Sequence, residues 1–263
     1  VWYRVGSRNE VLGWTGLSHL LEHMMFKGTP KYGKGEFSRI VAKNGGTENA
    51  FTAQDFTGYF ENLSSDRVWL SLDLESDRME NLLIDPKEFQ LERDVVKEER
   101  RLRTEDDPKS YLIEQMYGVT FLTHPYHSPV IGWMEDLNRL TPEDLQRHYR
   151  TYYRPNNATL VVVGDIDPKS LISRIRESFE KIPRGPDPPA PFSTEPPQNG
   201  ERRILVKREA QLPFVFLGSR VPNFRDPDAF PLEVLATLLS SGKSSRLYRS
   251  LVYEKKIALD TGG

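Results

Sequence analysis

Two histidines one helical turn apart, with a glutamate just before the second, are the residues in this chain best suited to chemistry. They are His19, Glu22 and His23 in the run His19-Leu20-Leu21-Glu22-His23. A helix advances about 100° per residue, so with Leu17 at zero, Leu20, Leu21 and Met24 fall within about 60° of it as a core stripe. His19, Glu22 and His23 fall on the opposite side. Two imidazoles so placed can reach one cation, and neutral imidazole is a natural zinc ligand. Glu22, at one edge of the polar face, is a poor third ligand from the same turn and is better placed to hold a water. The order H-x-x-E-H is a metallopeptidase signature, the reverse of H-E-x-x-H. The competing reading is a chance pattern on a solvated helix face, which the helical context disfavours.

A catalytic zinc takes three protein ligands and keeps one position open. The third must come from another element, and the helix expected over 86–104 offers it. Its apolar residues Phe89, Leu91, Val95, Val96 and Leu102 span an arc of about 160°, and Glu92 and Glu99 both fall near the middle of that arc, about 20° apart. Carboxylates on a core-facing stripe need compensation. A cation or an imidazole N–H supplies it, unless the helix is bent or shifted so that both are exposed. Glu98 falls just outside the arc and reads as solvated.

The remaining polar candidates carry less. The segment 48–52, with Asn49, Ala50, Phe51 and Thr52, reads as a short strand of mixed polarity. Its edge could pair with an extended peptide, although an ordinary hairpin explains the same pattern. His124, His127 and His148 read as structural or surface residues. Gly242-Lys243-Ser244-Ser245 lacks the glycine spacing and the preceding strand of a phosphate loop.

The elements that must position these groups follow from periodicity and punctuation. A strand is expected at 1–4. Helices are expected from residue 17 to the Gly28/Pro30 stop, and at 36–43, 66–80, 86–104, 109–118, 141–152 and 168–182. Strands are expected at 48–54, 57–63 and 158–163, and residues 121–140 read as mostly loop. Seven prolines within 183–197 mark a linker of extended character. After it come strands at 203–207 and 214–218 and helices at 228–239 and 244–255. The expected organisation is a metallopeptidase domain over 1–182 with the zinc site, a proline-rich linker over 183–200, and the start of a second, truncated domain over 201–263.

Composition narrows the classes. The 263 residues include 36 Lys+Arg and 38 Asp+Glu, a net charge of −2 that argues against a dedicated nucleic-acid binder. Hydrophobic residues at 37% suffice for a buried core. The longest aliphatic run, 160–163, is far too short for a membrane span. The absence of cysteine excludes disulfides, thiolate metal sites and cysteine nucleophiles.

With these residues in view, the chain resembles the pitrilysin, insulysin and mitochondrial-processing-peptidase family of inverted-motif zinc metallopeptidases, most closely the short bacterial members. Gly16-Leu17-Ser18-His19-Leu20-Leu21-Glu22-His23-Met24-Met25-Phe26-Lys27-Gly28-Thr29 matches the central motif of that family. Asn49-Ala50-Phe51-Thr52 with Tyr59-Phe60 matches its substrate-strand segment, and Glu92-Arg93-Asp94-Val95-Val96-Lys97-Glu98-Glu99 matches the segment that supplies the last ligand. His124-Pro125-Tyr126, residues 160–164, and Ser244-Ser245-Arg246-Leu247 with Glu254-Lys255 match further landmarks.

The resemblance implies an α+β fold, a mixed and mainly antiparallel sheet packed by helices, in two similar domains of which the second is incomplete here. It implies that His19, His23 and Glu99 bind one Zn2+ per chain, that Glu22 activates water, and that Glu92 orients a ligating histidine. Asn49 and the strand Ala50, Phe51, Thr52 would hold the substrate backbone. The implied activity is that of a zinc endopeptidase acting on peptides or unfolded segments in a closed chamber. The implied assembly is a homodimer, or a heterodimer with a second family subunit. The rival is a subunit of the same fold acting mainly as a structural or binding partner. An arginine and a tyrosine that reach substrate from the opposite half are expected outside this sequence, as is the first strand of the family. Compartment stays open between cytoplasm and periplasm of a bacterium.

Overall fold

The computed structural model describes residues 1–263 as two compact units, Val1–Phe216 and Leu217–Gly263. The first unit is α+β. Its sheet has four strands, β1 (Trp2–Tyr3), β2 (Thr47–Thr52), β3 (Thr57–Asn62) and β4 (Ala158–Thr159), in the order β2-β3-β1-β4. Every pairing is antiparallel. β2 and β3 form a hairpin in full register from Thr47↔Asn62 to Thr52↔Thr57, and β2 is an edge strand.

Eight helices belong to this unit: α1 (Leu17–Met24), α2 (Glu36–Lys43), α3 (Val68–Asn81), α4 (Pro86–Arg100), α5 (Pro108–Thr120), α6 (Met134–Arg139), α7 (Pro142–Tyr152) and α8 (Pro168–Phe179). Four of them, α4, α5, α7 and α8, start on an Asp or Thr cap followed by proline at the first turn, as the punctuation predicts for α4 and α7. Asp85 accepts the N–H of Lys87 and Glu88 at 2.9 and 3.0 Å, and Thr141 and Asp144 form a capping box. The core joins α1 to the sheet and to α7. Leu20, Leu21, Met24, Tyr3, Tyr59, Leu145, Tyr149 and Tyr153 are buried in one cluster, and the hydroxyls of Tyr59 and Tyr153 lie 2.8 Å apart.

Several expectations differ from the fold. The segment 121–140, expected as loop, contains α6, whose Leu137 is fully buried. The strand expected at 158–163 pairs only through β4; the residues after it lack a ladder partner, and Val163 is 91% exposed. Residues 203–207 and 214–218 are likewise unpaired, since β-branched and aromatic residues favour a strand only where another backbone completes the ladder. The proline-rich segment 183–197 forms neither helix nor strand. In the second unit, α9 (Ala229–Ser240) matches the expected helix within a residue, whereas the helix expected at 244–255 contains a π-helical stretch, Tyr248–Glu254. No helix is long and apolar enough to cross a membrane.

Candidate metal centre and cleft

α1 presents the central motif. Leu17, Leu20, Leu21 and Met24 are buried, while His19, Glu22 and His23 on the other face line a cleft of about 1160 Å³. Its entry is sharply defined. Gly16 lies at φ 89°, and a Cβ there would meet the Ile131 carbonyl oxygen at 2.8 Å and Leu137 Cδ2 at 2.9 Å. A larger residue is therefore excluded by both conformation and space.

α4 crosses α1 and brings two carboxylates to it. Phe89 and Val96 anchor α4 in the core, and Arg100 makes a paired bond to both oxygens of Glu114, at 2.8 and 3.0 Å. The apolar arc read from the sequence is split. Leu91, Val95 and Leu102 are not core residues; they stand half or more exposed and line the cleft. Glu92 and Glu99 sit where the core-facing and cleft-facing halves meet. Beyond Arg100 the helix widens into a π-helical turn, Arg101–Glu105.

His19, His23 and Glu99 each turn one ligand-capable atom into a common space, all within 4.8 Å of one another. Glu99 Oε2 lies 3.8 Å from His19 Nε2 and 3.4 Å from His23 Nε2. A tetrahedral zinc with bonds of about 2.0–2.2 Å has ligand edges of about 3.3–3.6 Å, so small side-chain adjustments suffice to close this set on an ion. Burial, reinforced by the neighbouring His23 and Arg103, pushes His19 down to about 3, which leaves a neutral imidazole with its lone pair available. Two imidazoles and one carboxylate are a donor set that suits catalytic zinc.

Behind these atoms stands a second layer. His23 Nδ1 donates to Glu92 Oε1 at 3.0 Å, and the Lys27 ammonium pairs with Glu92 Oε2. Burial opposes ionisation of Glu92, but the hydrogen bonds from His23 and Lys27 outweigh it and hold the carboxyl below its ordinary value. Arg103 Nη1 lies 2.6 Å from Glu99 Oε1, the oxygen away from the histidines. His19 Nδ1 is buried with no protein partner. Lys27 and Arg103 are not among the residues expected from the sequence, although each is four residues from its site neighbour, His23 or Glu99. That spacing on a helix was the available signal.

Glu22 reaches toward β2. Thr52 Oγ1 donates to Glu22 Oε2 at 2.5 Å. Burial raises the Glu22 carboxyl, with Glu99 adding to the rise and Thr52 and His23 opposing it. This contact spans 30 residues and has no sequence signal. Asn49, Ala50, Phe51 and Thr52 all line the cleft. Ala53 N–H bonds to Phe56 across the hairpin, so by alternation Ala50 and Thr52 turn their backbone groups away from β3. Asn49 Oδ1 covers the Ala50 N–H at 2.9 Å.

The other histidines serve the frame. His148 is buried 3.1 Å from Ser18 Oγ on α1 and is pushed down to about 3 by burial alone. His124 Nδ1 accepts the Tyr126 N–H at 3.2 Å, and His127 lies on the cleft wall.

The chain resembles known proteins throughout. The family described as insulinase (peptidase family M16) matches residues 1–132, and the domain described as peptidase M16 inactive domain matches residues 139–263. All the cleft residues above lie in the first of these stretches. The zinc protease PqqE of Helicobacter pylori is 39% identical over 98% of this chain and 59% of its own length. An uncharacterized zinc protease of Mycobacterium bovis is 35% identical over 99% of this chain and 61% of its own length. The crystal structure of a protease from Helicobacter pylori superimposes with a TM-score of 0.91 at 36% identity, covering 98% of this chain and 63% of that one. This chain thus spans less than two thirds of the length of these relatives. By its motifs, its fold and these matches, the chain belongs to the insulinase family of peptidases, family M16.

Proposed function

We propose that this chain carries the active centre of a zinc-dependent endopeptidase that hydrolyses peptides or unfolded segments. The observation that carries the reading is the convergence of His19, His23 and Glu99 beside Glu22, on a cleft bordered by an open strand edge. His19 Nε2, His23 Nε2 and Glu99 Oε2 are the atoms that would hold one zinc per chain. Zinc bound there supplies a Lewis acid for the scissile carbonyl and acidifies the attacking water.

The remaining steps belong to the chain. An extended peptide adds to the edge of β2, pairing with the backbone groups of Ala50 and Thr52 and replacing the Asn49 cover on the Ala50 N–H. Glu22 accepts the proton of the attacking water on Oε1, while Thr52 holds Oε2. The raised carboxyl then returns the proton to the leaving amine. Glu92 keeps the His23 ring turned so that Nε2 faces Glu99. Residues 1–182 act in this reading as the metallopeptidase domain, followed by the linker 183–200 and the beginning of a second domain. The whole protein, as a homodimer or with a second family subunit, encloses the cleft in a chamber.

The test is metal content and cleavage together. About one zinc per chain, lost in His23→Ala, with hydrolysis of a quenched fluorescent peptide that chelation abolishes and zinc restores, is the expected result. A zinc-loaded, full-length protein that cleaves no peptide with any partner subunit overturns it in favour of a binding subunit.

A further inference from the structure

α1 is eight residues long and begins on a glycine, so it has no side-chain cap of its own and no acidic residue in its first turn. Helices this short are unstable alone, and their first N–H groups must find acceptors elsewhere. In this fold the acceptors come from Glu10, in the loop before the helix. Glu10 Oε2 accepts the Gly16 N–H and Oε1 accepts the Ser18 N–H, both at 2.7 Å, and the side chain is buried. A second carboxylate, Asp136 of α6, holds the intervening loop. Its Oδ2 accepts from Gly13 N, Thr15 N and Thr15 Oγ1 at 3.1, 3.2 and 2.6 Å.

His19 follows Ser18 directly, so the bond that ends on Ser18 N fixes the backbone from which the imidazole projects. His19 lacks the orienting partner on Nδ1 that Glu92 gives His23. Its placement therefore depends on the backbone of the first turn. We infer that Glu10 is a positioning residue for the metal centre. Gripping the first turn of α1 by two N–H groups, it sets where His19 Nε2 stands relative to His23 and Glu99.

The inference rests on the metal reading above and concerns a residue eight positions before the motif's Ser18. Burial pushes the Glu10 carboxyl up to about 8, with the Ser18 and Gly16 N–H groups opposing the rise. Protonated or ionised, each oxygen keeps a lone pair for its amide. Glutamine cannot replace it, because its NH2 would face one of the two donors.

The experiment compares zinc affinity of the folded protein, by competition with a chromophoric chelator, across wild type, Glu10→Gln and Asp167→Ala. Asp167 caps α8 through the Lys169 and Ser170 N–H groups, away from the cleft, and serves as a cap loss of similar kind. Glu10→Gln is expected to weaken zinc by about 10-fold, the low end for residues that orient ligands, whereas Asp167→Ala leaves it unchanged. Amide exchange in wild type gives a reading that does not depend on the variant folding. The Ser18 N–H should exchange as slowly as those of Leu20 and Leu21. Zinc binding equal in wild type and Glu10→Gln overturns the role of Glu10 while leaving the metal reading intact, as does rapid exchange at Ser18. A wild-type chain that binds no zinc overturns both.

Discussion

Nδ1 of His23 lies 3.0 Å from Oε1 of Glu92, although 69 residues separate them in the chain. The carboxylate is itself paired with Lys27, four residues beyond His23. The pair fixes the tautomer: with Nδ1 protonated, Nε2 carries the lone pair that faces Glu99. Carboxylates in this position commonly tune ligand basicity and orientation, and their loss costs about 10–100-fold in metal affinity. Glu92→Ala is therefore expected to weaken zinc by that amount, measured by chelator competition. An affinity equal to wild type would remove Glu92 from the centre.

Glu22 is expected to separate binding from turnover. It lies outside the His19, His23 and Glu99 cluster, and its Oε2 is occupied by Thr52. Glu22→Gln should bind zinc with wild-type affinity while peptide hydrolysis falls by about 10²–10⁴, the range typical of a lost general base. Steady-state kinetics beside a zinc titration checks this, and a near-normal kcat would exclude the assigned role.

The same two residues show what the sequence could and could not convey. The α1 stripe is legible because one face meets the core and the other meets polar chemistry, so hydropathy and burial coincide. On α4 they do not. Leu91, Val95 and Leu102 look like core residues by type, but they face a cleft whose wall is itself apolar, a use that residue type cannot distinguish from burial. The carboxylates were still detectable, since Glu92 and Glu99 stood out against an apolar surrounding. The bond from Thr52 to Glu22 and the grip of Glu10 on α1 depend on how a hairpin and a loop are folded back. No local spacing encodes either contact. The unpaired stretches after β4 differ from their strand-like sequence for a related reason, because strand propensity is local and a ladder partner is not.

Arg78 of α3 carries a prediction about stability. The guanidinium is buried, pairs with Glu75 and with Glu61 of β3, and lies against the rings of Phe37 and Tyr59 at 4.2 and 4.5 Å. Removing it leaves the Glu75 carboxylate without its cation in the interior, beside the Glu61 carboxyl. Arg78→Met is expected to destabilise the fold by about 3–5 kcal/mol, as when one partner of a buried ion pair is lost. The triple variant Arg78→Met, Glu61→Gln, Glu75→Gln should recover much of that loss, because the uncompensated charge goes with it. Urea unfolding of the three proteins tests both statements, and a single variant as stable as wild type would contradict them.

The two glutamates on Arg78 also set a pH dependence. Burial, with the charge of Glu75 beside it, pushes Glu61 up to about 8. Burial works against Glu75 as well, but Arg78 outweighs it and holds that carboxyl low. One guanidinium thus serves two carboxyl groups, of which Glu61 keeps its proton. An unfolded glutamate releases its proton near 4.5. Between about pH 4.5 and 8 the folded state therefore binds more protons at Glu61 than the unfolded state, and stability falls as pH rises through that window. The slope from one such group is at most about 1.4 kcal/mol per pH unit. Glu61→Gln mimics the protonated form and removes this slope. Denaturation of the metal-free protein at intervals from pH 5 to 8 should show the variant gaining on wild type as pH rises. The Glu75 contribution, of opposite sign, is lost only as pH falls below about 4.5, outside this range. A stability difference that stays constant from pH 5 to 8 would mean that Glu61 ionises normally in the fold and that Arg78 balances both charges.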